Sequence, residues 1–526
     1  MLSSVHRPVR IGRSRARSGL AAMLVFAAAT SACTVANSDS TGDAGEAGDS
    51  LRIVLDQEPP TLEPCEASLT STGVVTRSNI SEPLIERDPT TGELEPLLAT
   101  AWEQVTDTEW RMEVRDDVTF HDGAAFTAED AAFSIDRAVN NSALACNVDG
   151  YVFGDQELGL EVVNDTTLTI TTDVADPILP LRLSFIEVVP RTTSTEAKVR
   201  EPIGTGPYAV AAWDTGVSIS LRRHDDYWGE APAFARVRYV WRTESSVRAA
   251  MIATDEADIA TGLNPEDATP ENSLPYPNNE TTALRLDGRE APLDDIRVRR
   301  AIDLAIDRHG ITDALFDGMA VPAAQLVPEG VVGHNSELTV GAADPDAARA
   351  LVEEAAADGV PVDREITLIA RNGQFPKVAE TAEALQYQLA QAGLQVRIQM
   401  ADTAAHLEYQ LRPLPEDVGP VALLIMHGNQ AGDAGFTTSQ YLLSDGPQST
   451  FGTPELDELI AEADQTAGDD RQDAFAGVFA EQNDTLAQYA YLAHMQGLLG
   501  ISPRVSYEPN SATGDELRLA DVRPER

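Results

Sequence analysis

The stretch from Glu365 to Ile398 constrains the fold more than any other part of the chain. Glu365–Ala370 reads as a strand, Val378–Ala392 as a helix closed by Gly393, and Leu394–Ile398 as a second strand. A strand–helix–strand unit of this kind predicts a sheet that is at least partly parallel. The longest apolar run after the first 32 residues, Val421–Met426 (VALLIM), reads as a buried strand.

The rest of the chain keeps the α/β pattern but changes texture near 287–289. Before that point it is sheet-rich. Leu51–Leu55, Glu109–Val114, a hairpin within 155–172, Val217–Arg222 and Ala235–Trp241 read as strands. One capped helix, Thr127–Val139, opens with Asp130 placed three residues after Thr127. Beyond it helices dominate: Asp295–Asp307, Asp344–Asp358 with Pro345 in its first turn, Pro454–Ala463 and Arg471–Leu486. Two bodies of different texture predict two lobes with a cleft between them.

The ends of the chain predict its address. Residues 1–32 hold five arginines and no acid, and Leu20–Ala32 is an apolar stretch too short to span a bilayer. They are expected to be a signal peptide. Cys33, preceded by Ser31 and Ala32, is the expected lipidation site, with ordinary secretion as the alternative. Residues 33–50 are small, polar and acidic, and read as a flexible linker tied to the lipid. The remaining cysteines, Cys65 and Cys146, are candidates for one disulfide in an oxidising compartment, the alternative being two buried thiols. The whole chain of 526 residues carries a net charge of −47, which excludes nucleic acid and an anionic membrane surface as partners. Contact with the membrane is expected only through the lipid.

Enzyme signatures are missing. No HExxH, Walker A loop or Gly-x-Ser-x-Gly elbow occurs, and Gly204-Thr205-Gly206 runs into Pro207 rather than opening a nucleotide-binding helix. The two glycines read as a tight turn that needs backbone freedom. His121-Asp122-Gly123 reads as a turn after a strand. No catalytic residue, metal site or cofactor is expected.

Seven segments, met in order, carry a family resemblance. They are Pro60–Pro64, Glu95–Glu103, Val118–Asp130 (VTFHDGAAFTAED), Pro202–Tyr208 (PIGTGPY), Tyr227-Trp228-Gly229, Asp295–Arg308 and Thr453–Leu459. Together they resemble the family 5 extracellular solute-binding proteins of ABC importers, which include dipeptide, oligopeptide and nickel binders. The resemblance implies a periplasmic-binding-protein-like fold (type II, large cluster) with a hinge and an interlobe cleft. It places lobe I at 51–285 and 488–526 and lobe II at 286–487, with crossings near Leu286 and Leu486. It also implies a small solute, most simply a short peptide, an ABC permease as partner, a monomer, and a place at the outer face of the cytoplasmic membrane. A modified oligosaccharide and a metal chelate stay open as solutes.

In peptide-binding members an Asp in a segment of the form W-x-G-D-x-G-D-P meets the peptide's amino group. Here Gly432-Asp433 and Gly435 match, while Phe436 and Thr437 replace the second Asp and the Pro. Asp433 is therefore the candidate amine anchor. Gln57 and Glu58, after the first strand, and His427 and Gln430 are candidate cleft residues by position. Two rival readings remain: a surface sensor or chaperone-like peptide presenter on the same fold, and an exported α/β hydrolase.

Overall fold

The computed structural model describes residues 49–154, 156–512 and 516–525. The expected signal peptide, Cys33 and nearly all of the linker lie outside these residues. One mixed sheet of eleven strands organises the body. Its first five neighbours are Val396–Ala401, Ile366–Arg371, Val421–Gly428, Ser273–Leu286 and Tyr489–Ile501. Ile259–Ala260, Ser50–Leu55, Arg236–Trp241, Ser218–Arg223 and Tyr208–Asp214 continue it, and Ala320–Pro322 pairs on the side with Tyr489–Ile501. The expected crossover unit forms: Ile366 lies opposite Val396 in parallel register, with the helix Val378–Gln391 between the two strands. Val421–Gly428 is parallel to Ile366–Arg371 and antiparallel to Ser273–Leu286, and its Val421–Ile425 stretch is buried.

Ser273–Leu286 and Tyr489–Ile501 are the longest strands among the described residues. They pair antiparallel from Ser273 opposite Gly500 to Arg285 opposite Tyr489, with register shifts between Pro277 and Thr281 and between Thr282 and Ala283. Their two ends belong to different cores. Leu274, Tyr276, Leu499 and Ile501 pack with Leu51, Ile53 and Tyr239. Leu284, Leu286, Ala490 and Leu492 pack with Ile302, Leu368 and Leu385. Residues 284–286 and 490–492 thus pack against the second half of the chain, and each strand runs on through the change of core.

A separate antiparallel sheet, in the order Ala99–Thr106, Glu109–Val114, Thr167–Thr172, Leu158–Asn164, carries the expected hairpin. It shares an apolar core with the helix Ala128–Ile135 and with Cys65 and Cys146. These two cysteines are disulfide-bonded, with Cα atoms 5.5 Å apart. The helix starts as its capping pattern predicts, the Thr127 N–H donating to Asp130 Oδ2 at 3.1 Å. Among the described residues no helix is long and apolar enough to cross a membrane.

The Gly204/Gly206 pair is explained by crowding rather than by backbone freedom. Neither glycine has a positive φ. A Cβ on Gly204 would lie 2.1 Å from the Ile80 carbonyl oxygen, and one on Gly206 would lie 2.6 Å from that of Asn79. His121 fastens the same turn, its ring nitrogens 3.0 Å from the Gly206 oxygen and 3.2 Å from the Gly204 nitrogen.

Candidate functional site

The segment 427–436 leaves the buried strand Val421–Gly428 and enters the helix Ala434–Tyr441. Its course is fixed by its own polar groups. The Asn429 N–H donates to the Asn279 carbonyl at 2.7 Å, and its side-chain amide donates to the carbonyls of Asn279 and Leu326. His427 Nε2 sits 2.7 Å from Thr437 Oγ1, which donates on to Asn429 Oδ1 at 2.9 Å. In this relay Nε2 carries the hydrogen. The ring lies 4.4 Å from that of Tyr441, and burial pushes its pKa down to about 3. His427 is therefore a neutral brace between strand and helix.

Asp433 is buried and caps the helix, its Oδ1 accepting from the Gly435 N–H at 2.8 Å. Arg471 closes on it with two bonds of 2.8 Å, Nε to Oδ2 and Nη2 to Oδ1, and both side chains are only 2% exposed. The carboxylate already has its counter-charge inside the protein. An arriving ammonium would have to compete with a two-point guanidinium contact. Asp464 stands beside this pair, 3.4 Å from Arg471 and 37% exposed, with burial holding its pKa above the usual value.

The first half of the chain meets this segment directly. The Arg87 guanidinium donates to the Gln430 carbonyl and fills the space that a Cβ on Gly432 would need. Gly432 has φ +73°, so this position demands glycine both for conformation and for room. Gln430 also reaches the Asn278 carbonyl, at 3.4 Å. Phe436 is buried within the apolar cluster of the first half. Its ring centroid is 6.3 Å from that of Phe185, and the Arg182 guanidinium lies 5.1 Å from it. Arg77 lies 5.2 Å from the Phe185 centroid on the other side of the contact chain.

Beneath Phe185 the packing is polar and incomplete. Glu187 is buried with neither carboxylate oxygen hydrogen-bonded, and the nearest cation is Arg77 Nε at 3.9 Å. Burial drives its pKa well above the usual carboxylate range. A cavity of about 20 Å³ lies between Arg77, Arg87, Phe185 and Arg518, with Glu86 and Glu516 also in its wall. A larger cavity, about 140 Å³, lies within the second half near Arg300, Arg308 and Tyr491. There Arg308 is taken up by Asp303 and by the Tyr491 carbonyl.

The candidates from sequence therefore separate. His427, Gln430 and Asp433 come together on one segment, whereas Gln57 and Glu58 do not join them. Gln57 is exposed. Glu58 accepts from Trp213 Nε1 at 2.9 Å and from the Gly216 N–H at 3.0 Å, which ties down a hairpin at the far edge of the sheet. Nothing in the sequence pattern marks Arg87, Arg182, Phe185 or Arg471. Only Phe436 gave a signal, as a ring in the place of an acid. No group of three or more His, Cys, Asp or Glu side chains that could hold a metal ion occurs among the described residues.

Residues 93–446 match the family described as bacterial extracellular solute-binding proteins, family 5 Middle. The dipeptide-binding protein of Escherichia coli K12 is 28% identical over 347 residues, 60% of this chain and 65% of that protein. Protein XP55 of Streptomyces lividans is 28% identical over 331 residues, and the chain spans 59% of it. The nickel-binding protein NikA of Staphylococcus aureus is 22% identical over 492 residues, 92% of this chain and 95% of that protein. Among solved structures, DppA from Helicobacter pylori in complex with the peptide STSA superposes with a TM-score of 0.75 at 20% identity, covering 91% of this chain and 98% of that one. CtaP from Listeria monocytogenes superposes with a TM-score of 0.78 at 23% identity, covering 90% and 99%. These likenesses establish the two-lobed α/β fold. The family match covers more than half of the sequence, and the chain belongs to the bacterial extracellular solute-binding proteins of family 5.

Proposed function

We propose that the protein is a non-catalytic receptor of an ABC import system. It captures a small solute, a short peptide in the simplest reading, between its two halves and delivers it to a membrane permease. The observation that carries this is the contact of segment 430–436 with Arg87, Arg182 and Phe185, residues far away in sequence that belong to the opposite half. A ligand that bridges two halves favours the state in which they meet, and that state is what a permease can read. The peptide class draws support from the names of the E. coli relative and of the STSA complex. The nickel-binding relatives keep a metal chelate as the competing solute class.

Movement of the halves is assigned to the register shift at 277–281 in the paired long strands rather than to Leu286 and Leu486, because the change of core falls there. The receptor is a monomer held at the outer face of the cytoplasmic membrane through Cys33, after loss of residues 1–32 and with 33–50 as the tether. Thermal melting of the purified chain with di-, tri- and tetrapeptides, alongside mass spectrometry of whatever co-purifies, tests the reading. Peptide in the co-purified fraction and a raised melting temperature are expected. No shift with any peptide and no co-purifying peptide would overturn the peptide assignment.

A further inference from the structure

The larger cavity, about 140 Å³, has walls drawn from the second half alone, and none of the residues that meet across the halves lines it. Arg300 and Asp303 of the helix Ile296–Ala305 both stand in its wall, three residues apart and so on one face of the helix. Their charges are spent elsewhere only in part. Arg300 donates through Nη2 to the Asp484 carbonyl, and Asp303 accepts from Arg308 on Oδ1. Arg300 Nη1 and Asp303 Oδ2 have no hydrogen-bond partner among the described residues. Asn483 adds another open acceptor, since its amide nitrogen donates to the Ala324 carbonyl at 3.0 Å while its Oδ1 receives no donor there. Asp303 is 44% exposed and Arg300 lies at the surface, so the cavity is open to solutes. The rest of the wall is mainly apolar: Ala323, Ala324, Val340 and Ala487. A cavity of about 150 Å³ holds benzene, a molecule of six heavy atoms. A free guanidinium edge suits a carboxylate, and open carboxylate and amide oxygens suit N–H donors. A small α-amino acid carries both groups and a short apolar part within that size. A simple anion would leave both acceptors unmet and Asp303 facing a like charge.

We propose that this cavity is a second binding site, separate from the contact between the halves, for a small amino acid in its zwitterionic form. The carboxylate pairs with Arg300, the ammonium with Asp303 and Asn483, and the short side chain lies against the alanines. Tyr489 and Tyr491 of the long strand are also in the wall, so a bound amino acid braces the strand that both cores share. The assignment stands whichever solute fills the cleft. The test is calorimetric titration of the wild-type chain with L-alanine, propionate and ethylamine. Propionate is alanine without its amino group, and ethylamine is alanine without its carboxylate. Saturable binding of L-alanine at millimolar concentration or below is expected, with each of the other two at least roughly tenfold weaker, as the loss of one charged hydrogen-bonding group predicts. Arg300→Gln removes a surface charge bonded only to a carbonyl, and Asp303→Asn keeps an oxygen for Arg308. Both are expected to keep cooperative unfolding and to weaken L-alanine roughly tenfold or more. No binding of alanine, glycine or serine would overturn the proposal. So would propionate binding as tightly as alanine, or alanine affinity unchanged in folded Arg300→Gln, which would place the amino acid elsewhere. If one variant fails to fold, the other variant and the wild-type comparison decide.

Discussion

At position 433 a carboxylate and a guanidinium are buried together, and this pairing sets what a substitution there does. Removing Asp433 leaves the buried Arg471 with only the more distant and half-exposed carboxylate of Asp464, 3.4 Å away, as counter-charge. Losing one partner of such a pair costs about 3–5 kcal/mol. Asp433→Ala should therefore lower the urea midpoint of the free protein strongly, and unchanged stability would disprove the pairing. Glu82 offers a second test. It is buried and accepts from Tyr227 Oη at 2.7 Å, Thr205 Oγ1 at 2.8 Å and Trp228 Nε1 at 3.0 Å. Burial outweighs these bonds and pushes its pKa up from 4.5 to about 7. Between those values the folded chain holds a proton that the unfolded chain has released, so the Glu82 contribution to stability is full below pH 4.5 and falls as pH rises through 7. Glu82→Gln should flatten that part of the profile, measured as melting temperature at pH 5 against pH 7. At this scale the sequence discloses what is local. The Thr127 cap involves a partner three residues away, whereas Arg471 lies 38 residues beyond Asp433 and nothing in the intervening pattern couples them.

Elements were legible where apolar periodicity and caps agree. The crossover unit at 366–401 and the helix Pro454–Asp464 are of this kind, and both end within a few residues of their predicted limits. The long strand Ser273–Leu286 was not legible. It contains Pro275, Pro277 and two asparagines, which argue against a central strand, and Asn279 takes a left-handed φ of +57° at the irregularity. Its neighbours in the sheet hold it extended, a long-range effect that its own residues do not announce. At Gly206 the residue type was read correctly and the reason was not. The chain passes so close to Asn79 and Ile80 that a methyl group has no room. Gly206→Ala should cost about 2 kcal/mol by overpacking, even though its φ suits alanine. A change below about 0.5 kcal/mol in a denaturant titration would show that the turn yields.

Over the whole molecule, the disulfide closes a loop of 81 residues within the apolar core of the first half. Cys65→Ser with Cys146→Ser should reduce stability by about 4 kcal/mol on the loop-entropy estimate, read from the midpoint of chemical unfolding. The paired strands 273–286 and 489–501 have a further effect, on how the chain melts. Each contributes side chains to both cores and backbone bonds to one continuous ladder, so neither half can lose its structure without breaking the edge of the other. All five tryptophans, from Trp102 to Trp241, precede these strands and report on the first half alone. Circular dichroism reports on every helix and strand. Tracked together in urea, the two signals should trace one curve, making the receptor a single cooperative unit despite its two-bodied shape.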